Sequence, residues 1–240
     1  VDGDADLIAP IPGHASIPVT LLPFGSLAAV IGTVDIDQLK DTAAAALVHE
    51  QVVETLMAER RVLPVRFGAV FSGVEALLAA LATRHAVLCA DLKRIDRQVE
   101  IGVRILWDGA AQRARAGEQV RAQTNPGVSE NAGRPGIQYM RARMDEVAVA
   151  RRLRQDAEAL SHSCREWLAP FASTLKTKTL VTEEIPVSVA CLVVRTAIES
   201  LIDAVSRFQA MRPDIRAVCT GPWPPYHFVT DSERDERWLT

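Results

Sequence analysis

Apolar residues recur along this chain in two rhythms. Some segments place them at every second position and others at three- and four-residue steps, and the switches between the two mark the elements. From Pro18 short apolar runs alternate with turn residues, which predicts strands at 19–22 and 27–33 divided by Pro23, Phe24 and Gly25, and so a hairpin. Asp37 is placed to cap a helix to about residue 60, with Ala44, Val48, Val52, Thr55 and Leu56 along one face. Residues 62–67 form a Val-rich, strand-like run, and Pro64 within it implies an edge or a bulge because proline donates nothing to a ladder. Ser72 and Glu75 have capping-box spacing, opening a helix to about residue 97 along Val74, Leu78, Leu81, His85, Leu88, Leu92 and Ile95.

The second half begins with the clearest strand, 99–107, in which Val99, Ile101, Val103 and Ile105 alternate with polar or small residues. Residues 108–135 collect Gly, Gln, Arg, Asn and Pro without periodicity and read as a long, mobile, solvated loop. A helix follows to about residue 167, with Met140, Met144, Val147, Ala150, Leu153, Ala157, Leu160, Cys164 and Leu168 as its buried line. Strands at 175–181 and 187–194, a helix along Val194, Ile198, Leu201, Val205 and Phe208, and a strand at 215–220 complete the order; the charged tail beyond Thr230 frays. Strand, helix, strand, strand, helix, strand is the order of a ferredoxin-like module. The expected class is therefore α+β, as two packed modules. An N-terminal one at 1–97 has a similar but less complete order, and a C-terminal ferredoxin-like one at 98–240 carries the mobile loop at 108–135. Residues 1–17 read as an irregular lead-in with a short edge strand at Leu7 and Ile8, and the start at Val1 implies a missing initiator or short leading segment.

Composition narrows the function. With 48% hydrophobic and 24% charged residues the chain has the ordinary globular mixture, and 27 Lys plus Arg against 30 Asp plus Glu give a net charge of -3. No basic field recruits a phosphate backbone, so nucleic acid is disfavoured. Cys89, Cys164, Cys191 and Cys219 lie far apart without zinc-ligand spacing and read as buried, reduced thiols in a reducing cytoplasm. No stretch approaches the length of a membrane span.

Residue patterns that carry chemistry are mostly lacking in the sequence. Neither a dinucleotide glycine pattern nor a phosphate loop is present, nor a nucleophile elbow, and His14, His49, His85, His162 and His227 never adopt a metal-binding spacing with one another. His162 and Cys164, two apart on a helix, face away from each other. Glu183 and Glu184 read as a charged turn, His85 as a boundary histidine making one hydrogen bond, and the arginines at 134–154 as a solvated helix face. No cofactor is implied.

Two segments ask for more than a core. Val62-Leu63-Pro64-Val65-Arg66-Phe67-Gly68-Ala69-Val70-Phe71 sets Arg66 in an apolar run, where it needs an acidic partner, the surface or a binding role. Gly221-Pro222-Trp223-Pro224-Pro225-Tyr226-His227-Phe228 joins fixed φ angles to large rings, so it is a stiff segment that either locks the fold or presents a hydrophobic site. Together with His49 and the helix at 50–57, Val99-Glu100-Ile101-Gly102-Val103 and Gly136-Ile137-Gln138-Tyr139-Met140, they resemble the signature of the gas vesicle GvpL/GvpF family across about residues 20–230. The family's starting strand is not evident in 1–17, and the region 108–135 is longer and more polar than its pattern.

The resemblance implies a non-enzymatic, cytoplasmic, gas vesicle associated protein that contacts the shell protein GvpA and other Gvp accessory proteins. Pro64, Arg66, Phe67, Gly68, Gly221, Pro222, Trp223, Pro224, Pro225, Tyr226 and Phe228 are its motif or partner-contact residues. Two alternatives stay open. One is an α+β enzyme with a cleft between modules that uses Arg66, His49 and His227, since such folds host many chemistries. The other is a small-ligand sensor.

Overall fold

The structure, a computed structural model, describes residues 1, 13, 18–33, 43–124, 135–180 and 182–230, with the side chains of Pro135 and Ile137 left out. Asp37, Leu7, Ile8 and the tail beyond Thr230 lie outside them. The chain divides into two units, Val1–Glu100 with Pro222–Thr240, and Ile101–Gly221. The ring-bearing segment from Pro222 therefore falls with the first unit, although its place in the sequence put it in the second module.

In the first unit the hairpin forms. β1 (Thr20–Phe24) pairs antiparallel with β2 (Leu27–Ile31) in the register Leu22 opposite Ala29, around a turn where Gly25 has φ +59°, a left-handed value that glycine adopts without strain. Val1 exchanges backbone bonds with Ala28 at 3.0 Å. Helix α1 (Ala43–Glu59) buries Val52, Val53 and Leu56 against Val19 and Val62. Helix α2 (Val74–Arg94) starts without the capping box: Gly73 is its N-cap, and no side chain bonds the first turn. It stops at Ile95, whose N–H caps the Asp91 carbonyl, and Arg97 at φ +55° turns the chain out of the helix.

Residues 62–67 are not a strand. They run as irregular backbone, because Pro64 has no N–H to offer a ladder and the segment packs by side chains instead: Val62 and Pro64 are buried while Val65 and Arg66 are exposed.

The second unit is built on a four-stranded sheet in the order β4-β5-β3-β6, from β3 (Gln98–Trp107), β4 (Thr174–Thr179), β5 (Val187–Val194) and β6 (Ile215–Trp223). β4 and β5 pair antiparallel. Two helices, α3 (Gly109–Thr124) and α4 (Pro135–Leu168), fall between β3 and β4, and α5 (Ile198–Ala210) falls between β5 and β6. Ile101, Val103 and Ile105 of β3 form one core with Val189, Cys191 and Val193 of β5, with Leu153 to Leu168 of α4 and with Leu201 and Phe208 of α5. Helices and sheet thus share a single apolar layer, which makes the class α+β. Trp167 Nε1 donates to the Ala204 carbonyl at 2.8 Å and ties α4 to α5. Gly102 is needed where β3 meets β6, since a Cβ there would stand 2.6 Å from Thr220 Oγ1.

Two expectations in this unit fail. The loop at 108–135 is helical over most of its length: α3 occupies 109–124, capped by Asp108, whose carboxylate accepts the Ala111 N–H at 2.9 Å. The segment lacks large apolar side chains because Ala116 and Val120 suffice to seat a slender helix on α4, where a Cβ added at Gly117 would stand 4.0 Å from Val149. The buried line of α4 is also shorter than its periodicity promised. Leu153, Ala157, Leu160, Cys164 and Leu168 are buried, but Met140, Met144, Val147 and Ala150 are exposed.

All four cysteines are free; Cys164 and Cys191 are buried and Cys89 and Cys219 half-buried. Burial pushes the Cys164 thiol up to about 12, so it stays protonated and inert. No helix among the described residues is long and apolar enough to cross a membrane.

Candidate functional site: the motif segments on the first unit

The first motif segment is positioned by α1. There His49 Nε2 meets the Val65 carbonyl at 2.8 Å and its ring stands edge-on to Phe67 at 5.9 Å, so one histidine fixes backbone and ring together. Gly68 then turns the chain at φ +88° with open space around its missing Cβ, so the glycine serves the turn rather than a close approach. At the second segment, Tyr226 lies half-buried in the field of Glu50 and Glu54.

From Gly221 (φ +107°) the chain passes through Pro222 and Trp223 at the end of β6 and then turns inward. Pro224 and Pro225 are buried, and Phe228 is 1% exposed, closing a short 3-10 turn over Tyr226–Phe228. Trp223 keeps 40% of its surface open. The proline-fixed backbone therefore splits its rings, with Phe228 sealing the unit and Trp223 left outside.

Four polar side chains of α2 and β3 hold this segment. Glu100 accepts the His227 N–H at 3.0 Å and meets His227 Nδ1 at 2.6 Å. Asp91 accepts the Thr230 N–H at 2.7 Å and the Thr230 hydroxyl at 2.9 Å. Arg94 donates to Asp91 and to the Phe228 carbonyl, and Arg84 donates to the Thr230 carbonyl. Asp91 and Glu100 are both buried, and their carboxylates are matched by donors from the docked segment, as buried charge requires. Neither stood out in the sequence as a clamp. The available signal was Glu100 between Val99 and Ile101, a charge inside a strand whose three successive residues are all buried.

Tyr226 gives a direct test of the docking. Its hydroxyl is pushed up from 10.0 to about 12, first by burial and then by Glu50 and Glu54. The folded chain holds this proton more tightly than the unfolded one, so the contribution to stability is complete below pH 10.0 and is lost as pH rises towards about 12. Phenolate absorbance should accordingly show one late-titrating tyrosine in the native protein, absent in urea and absent in Tyr226→Phe.

Arg66 is exposed, so the cost of a charge in an apolar run does not arise. His85 lies 3.4 Å from Ser26 Oγ and edge-on to Phe24, a boundary histidine steadying the hairpin turn. Cys89, one turn further along α2, lies 3.4 Å from the same hydroxyl, a grouping that the four-residue His85–Cys89 spacing could have revealed. Glu183 pairs with Arg113 at 2.6 Å while its carbonyl accepts from Trp107 Nε1, so the acidic turn is tied to its own unit. Among the described residues no three or more His, Cys, Asp and Glu side chains gather so as to hold a metal ion.

This arrangement defines an α+β protein whose first unit is completed by a proline- and ring-bearing segment clamped on buried carboxylates. The chain belongs to the GvpL/GvpF family of gas vesicle synthesis proteins, whose family model matches residues 1–230. Gas vesicle protein L of Streptomyces sp. (strain CB03234) is 29% identical over 93% of this chain and 87% of its own length. Gas vesicle protein F2 of Halobacterium salinarum is 23% identical over 86% of this chain and 77% of its own. In fold the chain is similar to the crystal structure of GvpF from Anabaena sp. PCC7120, with a TM-score of 0.74 at 19% identity and 95% of each chain covered. GvpF from Microcystis aeruginosa is similar at the same TM-score of 0.74. The role of this chain is thus gas vesicle related.

Proposed function

We propose that this protein acts without catalysis in the cytoplasm at the growing gas vesicle, where it binds the shell protein GvpA and other Gvp proteins. A shell subunit that buries an apolar face only in the polymer needs a partner to cover that face first. The observation that carries the reading is the division of labour in the motif segments. Pro64, Pro224, Pro225 and Phe228 are buried and build the unit, whereas Val65, Arg66 and Trp223 stay exposed on rigid backbone. An exposed tryptophan on a proline-stiffened support binds with little ordering cost, the property of an interface anchor. We also read the unit Ile101–Gly221 as ferredoxin-like, a reading supported by its strand order β4-β5-β3-β6 with helical crossovers after β3 and β5. The two-module reading, with the junction near the start of β3, belongs to the same proposal.

The test is titration of the purified chain with GvpA peptides, read by fluorescence anisotropy. Saturable binding is expected, and Trp223→Ala should weaken it about tenfold while costing less stability than truncation of the fully buried Phe228, since Trp223 keeps 40% of its surface open. Absence of binding at high micromolar concentration, or full binding by Trp223→Ala, would overturn the respective part of the proposal.

A further inference from the structure

The N-terminal half of α4 carries apolar side chains that packing within its own unit does not use. Tyr139, Met140, Met144 and Val147 are 72%, 62%, 68% and 55% exposed. Met140, Met144 and Val147 follow steps of four and three and form one stripe. The helical repeat sets this stripe roughly opposite Val149, Leu153 and Ala157, which face α3 and the core. Among the described residues α4 is therefore apolar on two sides, one packed and one open.

The charges beside the stripe specify what fits it. Arg141 and Arg143 flank it on either side, and Arg151 and Arg154 continue its line one turn further on; all four are exposed. The acids of this half, Asp145 and Glu146, lie around the helix from the seam, with Glu146 paired to Arg143 at 2.8 Å. A second copy of α4 would set arginine against arginine along the flanks, a like-charge arrangement that disfavours pairing. Unbranched methionines suit a surface that adapts to a partner's side chains.

We infer that this half of α4 is a docking seam for an amphipathic helix of another protein, one whose apolar stripe is bordered by Glu or Asp. The seam uses none of the residues of the segments 62–71 and 221–228, and it stands or falls independently of the GvpA reading. The partner helix lays its apolar residues against Met140, Met144 and Val147 while its acids reach Arg141 and Arg143.

Two synthetic three-heptad peptides test this on the full chain, both with Leu at the seam positions, one flanked by Glu and the other by Lys. Anisotropy should show saturable micromolar binding of the Glu peptide and at least about tenfold weaker binding of the Lys peptide. The uncharged double variant Met144→Ser with Val147→Ser should lose about tenfold or more for the Glu peptide, with an unchanged circular dichroism melt because both side chains are exposed. The double variant Arg141→Glu with Arg143→Glu should reverse the preference between peptides. Failure of the Glu peptide to bind, equal binding of both peptides, or indifference to the Met144 and Val147 changes would overturn the proposal. So would a wild-type dimer in light scattering that the same double variant converts to monomer, since the occupant would then be a second copy.

Discussion

Phe228→Ala is expected to cost about 3–5 kcal/mol, the range for truncating a fully buried aromatic, and to be the largest single-residue loss in the first unit. The ring is 1% exposed, and it sits at the end of a segment whose two buried prolines, Pro224 and Pro225, leave the backbone little room to collapse into the void. The cavity term should therefore add to the lost transfer energy rather than be relieved by relaxation. In urea titration the variant should lower the midpoint with little change in slope. Trp223→Ala, five residues earlier and exposed, serves as the contrast. A loss below about 1 kcal/mol for Phe228→Ala would mean that the segment only rests on the unit, because surface changes fall in that range.

What the sequence made legible depended on how each residue does its work. Strand β3 and helix α5 were readable because burial there repeats with a period, as in Leu201, Val205 and Phe208, whereas β5 showed as a continuous apolar run and the hairpin through its turn at Pro23–Gly25. Helix α3 was not, because it packs with Ala116 and Val120 and otherwise carries Gln, Arg and Glu, residues that favour helix by propensity while looking like loop by composition. The reverse error befell α4, where Met140, Met144 and Val147 have the period of a core face yet are exposed. Periodicity reports that a face is apolar, not what covers it. For the site, the motif residues were visible as unusual combinations of proline and rings. The carboxylates that hold them were hidden, since Asp91 and Glu100 look like ordinary charges until the chain brings Thr230 and His227 to them across more than a hundred residues of sequence.

Those carboxylates yield the second large effect. Asp91→Asn keeps the shape of the side chain but replaces one acceptor by a donor. In the native protein one carboxylate oxygen takes the Thr230 N–H and the other takes the Thr230 hydroxyl and Arg94. An amide cannot satisfy both sides, and the side chain is only 4% exposed, so water does not repair the mismatch. Loss of charge-assisted bonds at a buried acceptor is worth about 1.5–3 kcal/mol, discounted here because Arg94 and Thr230 themselves reach solvent; a cost of about 2 kcal/mol is expected. Combined with Phe228→Ala the two should not add. Once the ring is gone, residues 226–230 are already loosened, and Asp91 has less left to hold, so the double variant should fall short of the sum by about 1 kcal/mol or more, a coupling typical of groups sharing one element. Thr230→Ala, which removes only the hydroxyl, should lose less than Asp91→Asn. Strict additivity within about 0.3–0.5 kcal/mol would show that ring and clamp act separately, and the picture of one docked segment completing the unit would have to be given up.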